Sequence, residues 1–341
     1  MSRRMNGYNG DKQVAESALG MDTWMASTPA ITPGLMPVVD ASVTQAWPEL
    51  VSKSDATERT ECGFDGCTTN WMRLWKRRDR PVFEGSWGCG RGCIRGLVER
   101  SVRREMEGAG GAELAVEHAH RMPLGLVLLS QGLVTQAQLR QALAAQRAAG
   151  RGRIGEWLVE SCGVDERNVM RGLGMQWQCP VLSLSGFDAV KMALAMPAVL
   201  RELCGVVPLR VAGGRILYAG FEESVDAAAA FALERMCGLR VESGLLSITE
   251  FKRAMGLLVE PATVKCLEDT VADGNELMDR AVGALLTLQP VASKMVRLRD
   301  RYWMRLWLER GAISNNGMLP ATGEDVVDLL FRVRRDSVGI V

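Results

Sequence analysis

A pattern of glycines, apolar residues and a closing glutamine occurs twice in this 341-residue chain, over residues 123–146 and again over 153–176. In both copies apolar residues recur at i, i+4 spacing on either side of a short turn, which predicts two helices per copy. The fixed positions are Leu124, Gly125, Leu128, Leu129, Gly132, Leu139, Leu143 and Gln146, then Arg153, Ile154, Gly155, Leu158, Val159, Val169, Leu173 and Gln176. Cys162 stands where the first copy has its turn glycine. The repeat predicts helices that pack closely through their apolar faces.

The residues after the repeat predict a small α/β sandwich. Two runs rich in β-forming residues, 206–211 and 215–219, are joined by a glycine turn of hairpin type. The alanine-rich run 225–237 predicts a helix that ends at Gly238, and LRVESGLL predicts another strand after it. The chain therefore changes from helices to a mixed α+β arrangement.

Together these segments resemble the N-terminal domain of the ATPases of type II secretion and type IV pilus assembly, the GspE N-terminal or MshEN-like type. The resemblance rests on LGLVLLSQGLVTQAQLRQALAAQ, GRIGEWLVE, CPVLSL, VVPLRVAGGRILYAG and GLRVESGLLS, and covers about residues 120–258. MshEN-type members bind cyclic di-GMP through two motifs of the form RLGxxLVxxGx6LxxxLxxQ, so the resemblance implies that the fixed positions above bind this ligand. Family members of this kind also dock protein partners.

The two copies differ at the position where the ligand-binding motif has arginine. The second copy keeps it as Arg153, whereas the first has Pro123, which carries neither a charge nor a donor. This difference favours a structural or protein-docking use of the domain, with cyclic di-GMP binding as the open alternative.

Four of the nine cysteines form the pattern C-x4-C-x21-C-x3-C. They are Cys62, Cys67, Cys89 and Cys93. Zinc takes four thiolate or imidazole ligands, commonly as two close pairs. A knuckle, a hairpin of MRLWKR and PVFEGSWG about a turn at 78–81, and a helix carrying the second pair are typical of a treble-clef or zinc-ribbon module. We expect a structural Zn²⁺; four unrelated buried thiols and a redox pair are the alternatives. His118 and His120 are interpreted as linker residues, because the ligand set is already complete.

The order of these features predicts a multidomain α+β protein. We expect a disordered tail at 1–55, the four-cysteine zinc module at 56–106, a glycine and alanine linker at 107–117, the GspE N-terminal-like domain at 118–260, and a helical C-terminal region at 261–341. The last helix is expected to start at Thr322, where Thr-Gly-Glu-Asp has capping-box spacing.

The pentapeptide WMRLW occurs at 71–75 and at 303–307, near basic residues in both places. Around the second copy the basic residues are Lys294, Arg297, Arg299, Arg301 and Arg305. One interpretation is a basic, aromatic surface for nucleic acid or an acidic partner. The other, which we favour, is a surface helix that packs tryptophan and leucine inward.

Several classes of function are disfavoured by what the sequence lacks. It contains no G-x-x-x-x-G-K-[ST] motif, only two histidines, and no persuasive catalytic triad or carboxylate pair, which predicts a protein that is not an enzyme. The 41 Lys and Arg nearly balance the 40 Asp and Glu, so no overall charge attracts nucleic acid or membranes. No transmembrane or leader segment is evident, and we expect a cytosolic protein.

The sequence therefore predicts a non-enzymatic binding or regulatory protein. It would dock a protein partner of a secretion or pilus-type system, or sense cyclic di-GMP. The alternative is a zinc-dependent nucleic-acid-binding regulator that uses the four-cysteine module and the Arg/Trp-rich helix, although the helices of the repeat carry little positive charge for reading DNA.

Overall fold

The computed structural model describes residues 62–68, 81–114, 122–222, 224–258, 264–314 and 317–334, without the side chains of 108–114. All of them belong to the compact unit Leu50–Val341. The predicted tail, the two histidines and the first WMRLW copy lie outside these residues. The fold is mixed α+β, as predicted. Within the described residues, no helix has both the length and the hydropathy that crossing a membrane requires.

The described chain begins with the cysteine-rich module. Strands β1 (Val82–Phe83) and β2 (Ser86–Trp87) form a short hairpin, and helix α1 (Arg91–Leu114) follows it. The flexible linker predicted from residue 107 onward is wrong as far as residue 114, because α1 continues through EGAGGAEL. Alanine and glutamate favour helix, and each glycine costs only about 1 kcal/mol relative to alanine.

The doubled motif forms four helices, so the predicted helix, turn, helix pattern is correct in both copies. They are α2 (Leu124–Ser130), α3 (Gln136–Ala149), α4 (Ile154–Cys162) and α5 (Glu166–Trp177). Helix α3 packs on α4, and α2 packs on α5, so the main contacts run between the copies rather than within each one. Their shared core includes Leu128, Leu158 and Val169.

The sandwich follows, with the predicted hairpin, helix and strand all present. Its elements are α6 (Ala189–Ala193), α7 (Ala198–Cys204), β3 (Val206–Ala212), β4 (Ile216–Phe221), α8 (Ala227–Cys237), β5 (Arg240–Leu245) and α9 (Ile248–Leu257). Strand β4 pairs antiparallel with β3 and parallel with β5. Gly213 and Gly214 both have positive φ in the β3–β4 turn, which explains why this turn is glycine-rich.

The region beyond residue 261 differs from the prediction. It contains β6 (Lys265–Val271), α10 (Gly274–Leu288), β7 (Ala292–Leu298), β8 (Arg301–Trp307) and β9 (Val326–Val333). The strands form one sheet in the order β6-β9-β8-β7, with β6 and β9 parallel and the other pairs antiparallel. A helical C-terminal region is therefore wrong, and so is a helix from Thr322, because the apolar run at Val326 pairs with β6 and β8.

The second WMRLW copy is strand β8, not a surface helix. Its five side chains are all fully buried, so the expectation that tryptophan and leucine pack inward is correct, whereas the surface helix and the basic, aromatic surface are wrong. Trp303 and Trp307 face the sandwich core, whereas Met304 and Leu306 face the core beneath α10. The C-terminal sheet is thus a middle layer that is covered on both faces.

Candidate metal centre and doubled motif

The structure brings together the sulfur atoms of the four predicted metal ligands. Those of Cys62, Cys67, Cys89 and Cys93 all lie within 4.8 Å of one another. The Sγ atoms of Cys67 and Cys89 are 3.6 Å apart, and those of Cys89 and Cys93 are 3.1 Å apart. Both distances exceed the about 2.05 Å of a disulfide and approach the about 3.8 Å edge of a tetrahedron with 2.3 Å Zn–S bonds. The donor set and its spacing fit a four-coordinate metal ion.

Backbone hydrogen bonds and a half-buried ring position the first cysteine pair. The N–H of Gly63 donates to the carbonyl of Trp87 at 2.9 Å, and the N–H of Cys67 donates to the carbonyl of Phe64 at 3.0 Å. The Phe64 ring lies against Gly96 of α1 so closely that a Cβ there would be 2.2 Å from the ring. The first pair is therefore held against the helix whose first turn carries Cys93.

A hairpin lies within PVFEGSWG, which was predicted as a single strand, and its turn is Glu84-Gly85. Most of the predicted turn at 78–81 lies outside the described residues. The predicted strand MRLWKR lies outside the described residues. The order of loop, hairpin and helix agrees with the prediction of a zinc module.

Without an ion, the thiols of the second cysteine pair disfavour ionisation. Burial and the neighbouring thiols raise the pKa of Cys93, and burial is also the main cause of the raised pKa of Cys89. A divalent cation reverses this effect, because thiolates are its ligands, and the N-terminal end of α1 adds a favourable dipole. The site thus has the chemistry of a metal centre.

In the doubled motif, glycines allow the helices to approach one another. A Cβ at Gly125 would lie 2.7 Å from Cδ1 of Leu139, and one at Gly155 would lie 3.0 Å from Cγ1 of Val169. Gly172, which the sequence pattern did not single out, leaves room for Leu128 in the same way, at 2.4 Å. The motif glycines are packing residues of the four-helix core.

The turns of the two copies use neighbouring positions rather than the same one. Gly132 has φ of +65° in the first copy, and Gly163 has φ of +62° in the second. Cys162 therefore does not replace the turn glycine in the left-handed position; the following residue does that. The Cys162 thiol donates to the carbonyl of Gln138 at 3.3 Å, which joins α4 to α3.

The two motif glutamines make reciprocal hydrogen bonds. Nε2 of Gln146 donates to the carbonyl of Gly152 at 2.9 Å, and Nε2 of Gln176 donates to the carbonyl of Met122 at 2.8 Å. Each acceptor directly precedes the first motif position of the other copy. The glutamine that ends one copy thus fixes the start of the other.

The remaining predicted ligand-binding residues fall into buried, half-buried and exposed groups. Leu128, Leu139, Leu158 and Val169 are buried in or against the helical core. Leu124, Leu129, Leu143, Ile154, Val159 and Leu173 are half-buried and border the surface. Pro123 and Arg153 are exposed, and both precede a helix, so the unequal first positions of the two copies occupy equivalent places.

The doubled motif resembles domains of the GspE/MshE N-terminal class, and that class is also found among solved structures similar to this chain. A structure of MshE with cdg is 26% identical, with 40% of this chain and 98% of that chain covered and a TM-score of 0.32. The N-terminal domain of XpsE is 15% identical in one crystal form, covering 39% and 92% with a TM-score of 0.28, and 16% identical in another, covering 38% and 89% with a TM-score of 0.23.

No family model and no curated protein matches the chain. The class of the domain therefore rests on the motif residues and their arrangement.

Proposed function

We propose that this chain is a non-enzymatic binding protein whose GspE N-terminal-like domain docks a protein partner of a secretion or pilus-type system. The observation that carries the proposal is a group of exposed apolar side chains on the α2–α5 helix pair. Met122, Leu126 and Met175 are 56%, 50% and 45% exposed. Methionine and leucine on one helix pair suit an adaptable protein contact.

Motif contacts bring Met122 and Val181 to the C-terminal end of α5, which also carries Met175. The bond from Gln176 to the Met122 carbonyl places Met122 beside the end of α5. Val181, 44% exposed, lies against Gly174 one turn from there, at 3.2 Å from an ideal Cβ position. We refer to Met122, Met175 and Val181 as the α2–α5 surface.

Replacement of exposed apolar side chains by glutamate tests the docking proposal. Met175→Glu and Val181→Glu should abolish specific capture of a partner by the purified chain. Val190→Glu is the matched control, because Val190 is 61% exposed on α6, outside the doubled motif. Quantitative pull-down with crosslinking provides the measurement. Capture that survives both α2–α5 variants, or that Val190→Glu abolishes equally, contradicts the proposal.

Cyclic di-GMP is a second candidate, favoured by Arg153. This arginine is exposed at the start of α4 and keeps the first position of the resembling ligand motif. Pro123 removes its counterpart, and one lost charge-assisted bond costs about 1.5–3 kcal/mol, or more than tenfold in affinity. Pro123→Arg should therefore tighten binding by about tenfold or more, and Arg153→Ala should remove it.

Calorimetric titration of cyclic di-GMP into the wild type and both variants decides this second candidate. An affinity for cyclic di-GMP that rises in Pro123→Arg and is lost in Arg153→Ala supports it. An absence of heat at tens of micromolar protein, even with Pro123→Arg, rules it out.

For the four-cysteine site we propose structural Zn²⁺. Such an ion contributes on the order of 10 kcal/mol to folding, which suits a module with few core residues of its own, and four reduced thiols suit a reducing compartment such as the cytosol. Elemental analysis should find one zinc per chain, and Cys93→Ser should lose it. Protein purified without stoichiometric metal would instead favour the thiol alternatives.

The alternative of a nucleic-acid-binding regulator relies on the Arg/Trp-rich segment as an exposed helix. The Arg/Trp-rich segment is the buried strand β8, so it offers no surface for stacking bases.

A further inference from the structure

The cysteine-rich module and the C-terminal sheet share one hydrophobic core. Phe83 of β1 is 2% exposed, and Ile94 and Val98 of α1 are 2% and 0% exposed. They belong to the same buried cluster as Leu285 of α10 and Met304 of β8. The module therefore has no separate core among the described residues, although the doubled motif and the sandwich separate it from the sheet in the sequence.

Backbone hydrogen bonds add the module to the sheet. The N–H of Val82 donates to the carbonyl of Pro290 at 2.9 Å, and that of Glu84 donates to the carbonyl of Ser293 at 2.8 Å. The Ser293 hydroxyl, in a residue 1% exposed, returns a bond to the Val82 carbonyl at 2.7 Å. Strand β1 thus lies beside the edge strand β7 and is joined to that end of the sheet by hydrogen bonds.

Charged groups on α1 make the same connection. The Glu105 carboxylate, in a side chain 6% exposed, accepts from the backbone N–H of Arg297 in β7 at 2.9 Å. It also accepts from Nη1 of Arg235 in α8 at 3.0 Å. Nearer the cysteines, Arg95 forms an ion pair with Asp279 of α10. Helix α1 is therefore fixed to the sheet layer along several turns.

We propose that residues 62–107 and 264–334 form a single domain, assembled from two distant parts of the sequence, and that metal bound by the four cysteines stabilises its sheet. The segment that carries the doubled motif and the sandwich is inserted between these two parts in sequence, and the sandwich packs on the other face of the same sheet. The inference rests on the metal binding proposed above. Its physical basis is that Cys93 and the buried Ile94 occupy the same turn of α1, so the ion fixes the helix that covers α10 and β7.

Hydrogen exchange of the full chain, measured by mass spectrometry with and without a zinc chelator, tests the proposal. Loss of metal should speed exchange by about tenfold or more in 274–288 and 292–298, while 136–149 and 154–162 in the doubled motif remain protected. Faster exchange confined to 62–93, or acceleration of equal size in the doubled motif, would overturn it.

Metal content, measured on the same samples, separates this inference from the metal proposal. Protein that never contains zinc refutes both. Protein that contains zinc and loses it without a change in 274–298 refutes the composite domain alone. Phe83→Ala gives a readout independent of the ion, because it should speed exchange in β7 while zinc stays bound. Cys179→Ser is the matched control, since Cys179 lies far from the cluster in sequence and outside the ligand set, and should change neither quantity.

Discussion

The helical core of the doubled motif and the core of the C-terminal sheet are built on opposite principles. The helical core buries only apolar side chains and depends on glycines for close contact. The sheet encloses a full charge pair, Arg305 and Asp328, both 0% exposed. A buried pair contributes little net stability but fixes which strands pair, because either charge alone is costly. The first core is thus specified by shape and the second by electrostatic complementarity.

The buried pair has several partners that define its position. Nε and Nη2 of Arg305 donate to the two Asp328 oxygens, each at 2.7 Å, and Nε1 of Trp303 donates to one of them at 2.8 Å. Nη1 of Arg305 donates to the Ala195 carbonyl at 3.2 Å, which links the sheet to the sandwich. Burial alone would lower the pKa of Arg305, but the charge and hydrogen bonds of Asp328 outweigh it and keep the pKa raised.

Removal of one buried charge should have the largest effect. Asp328→Ala leaves Arg305 uncompensated and should destabilise the chain by about 3–5 kcal/mol, measured by urea unfolding. Asp300→Ala is the control, because its pair with Arg332 is half-exposed and should contribute at most about 1 kcal/mol. Similar losses for both variants would show that the buried charges do not set the sheet apart.

Glu84 gives the sheet layer a pH dependence that the helical core should lack. Burial raises the pKa of Glu84, but the hydrogen bonds and charge of Arg104 outweigh burial and hold it below its ordinary value of 4.5. The ionised carboxylate therefore stabilises the fold above that pH, and its contribution disappears as the pH falls through the lowered pKa. Glu84→Gln should cost about 1.5–3 kcal/mol at pH 7.

The difference between Glu84→Gln and the wild type should shrink below pH 4.5 in unfolding experiments across pH. A difference that is constant from pH 3 to pH 8 would mean that the variant acts through packing rather than charge.

In the helical core, the sensitive positions are glycines that leave no room for a methyl group. Gly125→Ala places a Cβ against Leu139 and should destabilise by about 1–3 kcal/mol. Gly283→Ala in α10 is the matched control: nothing lies within 4 Å of its Cβ position, so alanine should stabilise by about 0.5–1 kcal/mol. Thermal unfolding should move in opposite directions for the two variants, and a shift in the same direction would remove the role assigned to close contact.

The smallest expected effects come from the two glutamines. Gln146→Leu and Gln176→Leu each remove one exposed hydrogen bond to a carbonyl and should cost about 0.5–1.5 kcal/mol. The two losses should be equal within error, because the bonds are equivalent. If only one variant loses stability in urea unfolding, the two copies are not held in the same way.

The sequence was informative where structure is local. The i, i+4 leucines and the glycine at 132 specify helices and a turn within a few residues, and the glycine turn at 213–214 specifies a hairpin. The four cysteines are also predictable as metal ligands, because their residue type and spacing are typical of a metal site.

The sequence does not predict the elements that depend on partners distant in the chain. Strand β8 is apolar on both faces, so the alternation that marks a half-buried strand is absent, and its arginine resembled a surface residue. Only Asp328, in a strand not recognised as one, explains how Arg305 can be buried. The capping-box spacing at Thr322 was real in sequence but was overridden by pairing of the following residues with β6 and β8.

The reciprocal glutamine bonds make each motif copy incomplete by itself. In a chain with a single copy, the glutamine amide and the carbonyl at the other end would bond to water, unless a second chain supplied both partners in a two-fold symmetric dimer. The doubled motif therefore has the contact pattern of such a dimer joined into one polypeptide, and the equivalent positions 123 and 153 are a place where its two halves differ in charge.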